Sequence, residues 1–365
     1  MNRRLGWGIS VITVVLLMVL ISCSKKVPET TSNASNTNNE STAFEWTVAA
    51  PKEMGLDETA LAKIDATVAA KHGKTYSVLI VKDGRLVYEK YYQNKSQDTP
   101  TGVFSVTKSF LSALIGIAID KGLIQSTEQK LADLLPDLFM NMDDPRKKDL
   151  TIRQALTLTG GLESVDNDIM SWFQSANWNA YTLSRPLLQE PGTTFGYNTG
   201  LPHLLSSVIT EVSGMSTEEF AIQNLFGPLS ITNYGWSTDP QGVYSGGTML
   251  NLTPRDMAKF GYLYLQKGMW EGKSLIPQSW VEESVKKQVK VDDHTDYGYL
   301  FWLPDMKDKA GKDVFEYEAN GYGGQHIRII PEWNIVIVVT SDADSREGSS
   351  SGELIDQIII PAVQP

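Results

Sequence analysis

Residues 105–122 read Ser105-Val106-Thr107-Lys108-Ser109-Phe110-Leu111-Ser112-Ala113-Leu114-Ile115-Gly116-Ile117-Ala118-Ile119-Asp120-Lys121-Gly122. The run predicts one helix over about 105–121, stopped by Gly122, which takes the left-handed backbone of a helix C-terminus without strain. From Phe110 to Ile119 almost every side chain is apolar, so the helix is buried on most sides rather than along one stripe. Ser105 and Lys108 stand three residues apart, on one face of its first turn. The positive end of the helix dipole disfavours a cation there. Burial adds to that penalty and favours an amine able to take the proton of a serine hydroxyl. The same helix end offers backbone N–H groups to an oxyanion. Taken alone, the pair reads as readily as an N-cap serine and a solvated first-turn lysine. The rest of the chain decides between the two.

Upstream, 56–72 has helical spacing with Asp57 as its cap, and 76–81 is an apolar β run. Lys82-Asp83-Gly84-Arg85 is a hairpin turn into a second strand, 86–92. Downstream, 123–270 reads as mostly helical. Thr151-Ile152-Arg153-Gln154 has the form of a capping box, and Thr253-Pro254-Arg255-Asp256 that of a looser one with Pro254 at the first helical position. Strand character returns at 297–302, 324–330 and 335–341. A last helix over 353–360 is expected to stop at Pro361. The order predicts an α+β fold: an antiparallel sheet built from both chain ends, flanked by helices, with a large, mostly helical subdomain inserted over about 123–270. From residue 46 to 365 the chain reads as one folded domain.

The 365 residues carry 32 basic and 43 acidic side chains, a net charge of −11, with 41% hydrophobic and 21% charged residues. This is the composition of a globular protein, and the acidic balance argues against nucleic acid as a partner. A single cysteine excludes an intrachain disulfide and any multi-cysteine metal site. The four histidines, at 72, 203, 294 and 326, show no metal-ligand spacing, so neither metal nor cofactor is expected.

The N-terminus has Arg3 and Arg4 ahead of the apolar run 11–21, the pattern of a secretory signal over 1–22. Leu20-Ile21-Ser22-Cys23 resembles the bacterial lipobox, which implies lipidation of Cys23, an exported protein and a membrane anchor. The plainer alternative is an uncleaved membrane anchor. Residues 23–45 read as a flexible tether, because their Ser, Thr and Asn content cannot bury enough apolar area to fold.

With its context, the 105–108 segment resembles the serine β-lactamase and penicillin-binding-protein superfamily, in the class C-like branch that includes 6-aminohexanoate-dimer hydrolases and esterases. The likeness spans about 51–360 and rests on landmarks in order: Thr151-Ile152-Arg153-Gln154-Ala155-Leu156-Thr157-Leu158-Thr159-Gly160-Gly161, Pro191-Gly192-Thr193-Thr194-Phe195-Gly196-Tyr197-Asn198, Gly246-Gly247-Thr248, and Gly321-Tyr322-Gly323-Gly324-Gln325. The resemblance implies that Ser105 is an acyl-accepting nucleophile, Lys108 its base and Tyr197 an acid/base at the leaving group. It implies an oxyanion hole from the backbone of Ser105 and Tyr322, and substrate contacts from Asn198, Thr199, Asn320, Gly321 and Trp172. His326 either faces the site or packs beneath it, and Trp172, Phe173 and Trp178 either line the cleft or fill the core.

Two departures matter. The Tyr-x-Asn motif reads Tyr197-Asn198-Thr199, so either Thr199 occupies the asparagine's place or Asn198 serves. The third motif reads Ala319-Asn320-Gly321 and lacks the cation that would hold a substrate carboxylate. The expected substrate is therefore a small or short peptide-like ester or amide without that anchor. The alternative is a penicillin-recognising or cell-wall-binding lipoprotein with little turnover.

Overall fold

The computed structural model describes residues 44–343 and 351–363. The signal segment 1–22, Cys23 and the tether as far as residue 43 lie outside the described residues. None of the described helices is long and apolar enough to cross a membrane.

Eight strands pair in the order β2-β1-β8-β7-β6-β5-β4-β3, antiparallel throughout. They are β1 (Thr75–Lys82), β2 (Arg85–Tyr91), β3 (Val289–Lys290), β4 (Thr295–Tyr297), β5 (Trp302–Pro304), β6 (Tyr317–Gly321), β7 (Gln325–Ile330) and β8 (Ile335–Ser341). The chain ends do supply one sheet, and the β1–β8 pair is where the N-terminal hairpin joins the C-terminal strands. Asp83 and Gly84 both take positive φ (50° and 76°), the two-residue turn that matches strand twist.

Strands β1 and β8 are covered on both faces, which explains their unbroken apolar runs. Leu79 and Val81 of β1, with Val336 and Val338 of β8, face one core. Val78 and Ile80, with Ile335, Ile337 and Val339, face a second. The second core is closed by helix α1 (Glu58–Lys71) and the last helix. The first contains α2 (Val106–Asp120), whose residues 106–118 are all buried. Gly122 ends α2 as expected: its N–H reaches Ile119 and that of Leu123 reaches Ala118, a Schellman closure.

Residues 123–252 are short helices around α3 (Gly200–Ser213), with two short strands that Thr101–Gly102 completes into a small three-stranded sheet. Helix α4 (Pro254–Leu265) leaves this block and packs on β7, β8 and β1, so the inserted region ends before it. Phe110 of α2 stacks on Phe260 of α4 at 3.8 Å.

Two local expectations fail. Residues 297–302 are not one strand but the turn between β4 and β5. Gly298 N–H bonds to Phe301 O, and Leu300 takes φ 62°. The apolar residues there face the core without strand geometry. Pro361 does not stop the last helix either. Ser351–Leu354 passes through a wide turn, Ile355–Ile359, into Ile360–Val363. The Ile360 N–H bonds five residues back to Ile355, and this widened register immediately precedes the residue that has no N–H to give.

Behind β6 lies a buried charge cluster. Glu318 accepts hydrogen bonds from Asn320, His326 and Arg328, and Arg328 also pairs with Asp356 of the last helix. His326 therefore packs beneath the sheet in this cluster, its other ring nitrogen 3.0 Å from Ser351 Oγ. Glu316 sits beside it, and burial pushes its carboxyl from 4.5 up to about 8. The folded protein thus holds that proton over a window in which the unfolded chain has released it. The stabilisation is present below pH 4.5 and is lost as pH rises through 8. Glu316→Gln, which cannot ionise, should gain on the order of 2 kcal/mol over wild type at pH 9 and almost nothing at pH 5. Urea melts at the two pH values measure this, and an equal difference at both would refute it.

Candidate active site

Ser105 is held by an unusual approach. Phe104, immediately before it, takes φ 48°, and its carbonyl is held by both the N–H (3.0 Å) and the hydroxyl (2.6 Å) of Thr107. Non-glycine backbone of this kind costs on the order of 1–3 kcal/mol and gathers at functional sites. Ser105 occupies the N-cap position of α2, yet its side chain makes no capping bond. Its Oγ accepts instead from Lys108 Nζ at 2.9 Å and from Tyr197 Oη at 2.6 Å. This separates the two readings of the segment: the serine is not spent on the helix, and Lys108 is 1% exposed rather than solvated.

Lys108 Nζ has three partners. Besides Ser105 it reaches Gly247 O at 2.7 Å and Thr199 Oγ1 at 3.2 Å. The carbonyl of Gly247 arrives there because a side chain cannot: a Cβ at 247 would lie 2.6 Å from Thr199 O. Below it, wholly buried His203 holds the segment, with Gly246 N–H on Nδ1 at 3.5 Å and Asp239 on Nε2 at 3.1 Å. Burial pushes the His203 pKa down against the opposing carboxylate. A neutral ring that accepts at Nδ1 and donates at Nε2 fits both contacts.

Tyr197 is carried by a loop pinned to the segment after α2: Gly192 N–H bonds to Thr159 O at 2.7 Å and Gly196 N–H to Leu158 O at 2.9 Å. Its ring lies over Lys108 Nζ at 4.9 Å and stacks with half-buried Trp302 at 5.9 Å. Trp302 is a site-facing residue that the sequence reading left inside a strand.

Asn198 and Thr199 separate clearly. Asn198 is fully buried; its Oδ1 takes the Gly200 N–H at 2.9 Å and its Nδ2 points to Glu163 O. Both bonds turn the Asn198 side chain into the protein at the start of α3 rather than toward Lys108. Thr199 takes the motif position and reaches Lys108. Its N–H and its hydroxyl both donate to Asp166, each at 2.6 Å. Asp166 was not identified from sequence.

Gly321 and Tyr322 abut the nucleophile segment. A Cβ at 321 would lie 2.2 Å from Val103 O, and the exposed Tyr322 ring packs edge-on against Phe104 at 5.8 Å. Asn320, half-buried, spends its amide N–H on Glu318 at 2.9 Å. Trp172 differs from expectation. It is 0% exposed, packs against Trp178 and His203, and spends its indole N–H on Trp178 O and Thr182 Oγ1. A residue so enclosed is core, not a subsite.

A family model described as Beta-lactamase matches residues 61–358. The 6-aminohexanoate-dimer hydrolase of Paenarthrobacter ureafaciens is 24% identical over 307 residues, covering 77% of each chain. Two solved structures share the fold. A putative 6-aminohexanoate-dimer hydrolase from Bacillus anthracis has a TM-score of 0.70 at 21% identity, covering 89% of each chain. A D-stereospecific amidohydrolase from Streptomyces has a TM-score of 0.65 at 16% identity, covering 83% of this chain and 98% of its own.

Proposed function

Because the chain belongs to the beta-lactamase family, we propose that it is a serine hydrolase that cleaves an ester or amide through an acyl-enzyme on Ser105. The observation that carries this is the convergence of Lys108 Nζ and Tyr197 Oη on one partly exposed serine oxygen. In this reading Lys108, as the neutral amine, takes the Ser105 proton while Oγ bonds to the substrate carbonyl carbon. The carbonyl oxygen collects negative charge in front of the backbone N–H groups of Ser105 and Tyr322. The packing of Gly321 on Val103 supports this placement. Tyr197 passes a proton to the departing alcohol or amine, and water then releases the acid by the reverse sequence.

The third motif offers Ala319 where a cation would grip a substrate carboxylate. That favours substrates without a carboxylate at that point, and the name of the Paenarthrobacter relative separately favours short linear amides. The same proposal has the body exported and lipid-anchored through Cys23, on the strength of the apolar run before it.

The test is to treat the full chain with a fluorophosphonate probe and map the adduct by peptide mass spectrometry, with hydrolysis of a short p-nitrophenyl ester in parallel. One adduct, on the peptide bearing Ser105, and steady turnover are expected. A folded protein that neither labels nor turns over would sink the proposal. Stoichiometric capture of a fluorescent penicillin without turnover would replace it with a binding role.

A further inference from the structure

We propose that Asp166 is a positioning residue: it fixes the Thr199 hydroxyl as a hydrogen-bond acceptor and so aims the one lone pair of neutral Lys108 at Ser105. The inference rests on the serine hydrolase reading above and extends it to a residue outside the motifs.

The argument is a count of protons. A threonine hydroxyl has one hydrogen to give. Thr199 gives it to Asp166 Oδ1 at 2.6 Å, a short contact of the kind a charged acceptor makes. The carboxylate cannot easily turn away, because Oδ2 accepts both the Thr199 N–H at 2.6 Å and the Ser164 hydroxyl at 3.0 Å. Toward Lys108 Nζ, 3.2 Å away, Thr199 Oγ1 therefore presents only a lone pair. Gly247 O, at 2.7 Å, is an acceptor by nature.

Two of the three directions around Nζ thus face obligate acceptors. A neutral amine has two N–H groups and one lone pair. The acceptors take the two N–H groups, and along the 2.9 Å line on which the ammonium donates to Ser105 Oγ the neutral amine presents its lone pair instead. When the serine proton crosses, the resulting ammonium has three N–H groups and three acceptors, the third being the serine oxygen. Without Asp166 the Thr199 hydroxyl is free to rotate its proton onto the amine. It would then occupy the lone pair and leave an N–H facing Ser105, an arrangement that cannot accept the serine proton. Asp166 is itself exposed, so the carboxylate stays solvated while its polarity is transmitted inward through Thr199.

The test compares wild type, Asp166→Asn, Thr199→Val, Thr199→Ser and the Asp166→Asn/Thr199→Val pair in the full chain. The readouts are the rate of fluorophosphonate labelling of Ser105 and the kcat and KM for a p-nitrophenyl ester. Asparagine keeps the shape but has one acceptor oxygen for the three donors that Asp166 serves. Labelling and kcat are expected to fall about tenfold to a hundredfold in Asp166→Asn and Thr199→Val, with KM within about twofold. Thr199→Ser should stay close to wild type. The double variant should be no slower than Thr199→Val alone, because both act through one hydroxyl. Should Asp166→Asn fold poorly, Asp166→Ala with added formate gives the same information through recovery of labelling. Wild-type labelling with Asp166→Asn unchanged, or losses that multiply in the double variant, would overturn the inference. Absence of labelling in wild type would overturn the hydrolase reading first, and this inference with it.

Discussion

Methionine at position 108 lowers kcat/KM for a short ester by roughly 10³-fold or more while the protein stays folded. Lys108→Met keeps an unbranched chain in the same buried channel and removes only the amine. Gly247 O and Thr199 Oγ1 each lose a donor, at a cost of about 1–3 kcal/mol. Relief from burying an ionisable group offsets part of that cost. The rate has no such offset, since among the described residues only the Tyr197 hydroxyl also bonds to Ser105 Oγ. Ser105→Ala should lose as much, and the double variant no more than either single one, because the two groups act as a unit. Ester hydrolysis and thermal melts measured together decide the matter. A Lys108→Met protein retaining more than a tenth of wild-type activity would remove lysine from the mechanism.

The largest stability effect is expected at Glu318. Burial alone would push its carboxyl up, but Arg328, His326 and Asn320 overcome that and hold it far below the usual carboxylate range. Removing the carboxylate leaves the Arg328 guanidinium, 7% exposed, with the strained company of Glu316 and Asp356 only. Breaking a buried pair in this way costs about 3–5 kcal/mol. Glu318→Ala should therefore melt on the order of 10 °C lower at neutral pH. The stabilisation is present above the unfolded carboxylate's 4.5 and is lost progressively as pH falls from there toward the much lower value of the folded carboxyl, so the gap between the proteins should narrow steadily in acid. Calorimetry at pH 7 and, well inside that window, at about pH 3 reads both. A gap unchanged between them would mean that the lost stability is packing rather than charge. The site feels this cluster because β6 carries Glu318 on one face and ends at Gly321 against the nucleophile segment.

The parts of the molecule legible in the sequence are those governed by short-range spacing. Ser105 and Lys108 share a helical face, Asp83-Gly84 makes a turn, and Thr151 and Gln154 close a capping box, all within four residues. What escaped was set by contacts across long separations or by backbone phase. Whether Asn198 or Thr199 faces Lys108 depends on where α3 begins, and a shift of one residue exchanges their roles. Asp166 is an exposed carboxylate in a stretch of acidic residues, and only the fold brings it 33 positions along the chain to Thr199. Trp172 belongs to an aromatic group whose spacing serves a core as well as a cleft, and buried His203 behind it decides for the core. Tyr297 to Trp302 carries strand-like residues, but Gly298 and Leu300 turn it into a corner, which is what brings Trp302 beside Tyr197.

The pairing of β1 with β8 also governs how the protein comes into being. Ser77 and Thr340 meet at 2.6 Å across this pair although 263 residues separate them. Closing a loop of that length costs about 5 kcal/mol of chain entropy before any contact repays it. During synthesis β1 and β2 emerge first, with Val78, Leu79, Ile80 and Val81 apolar toward both faces and one long edge open. Their next neighbour in the sheet is among the last segments made. Folding is accordingly a late, slow event of high contact order, with an aggregation-prone interval before it. A chain ending before Ile335 would lack the strand that joins β1 to β7, so truncation yields not a smaller folded protein but none.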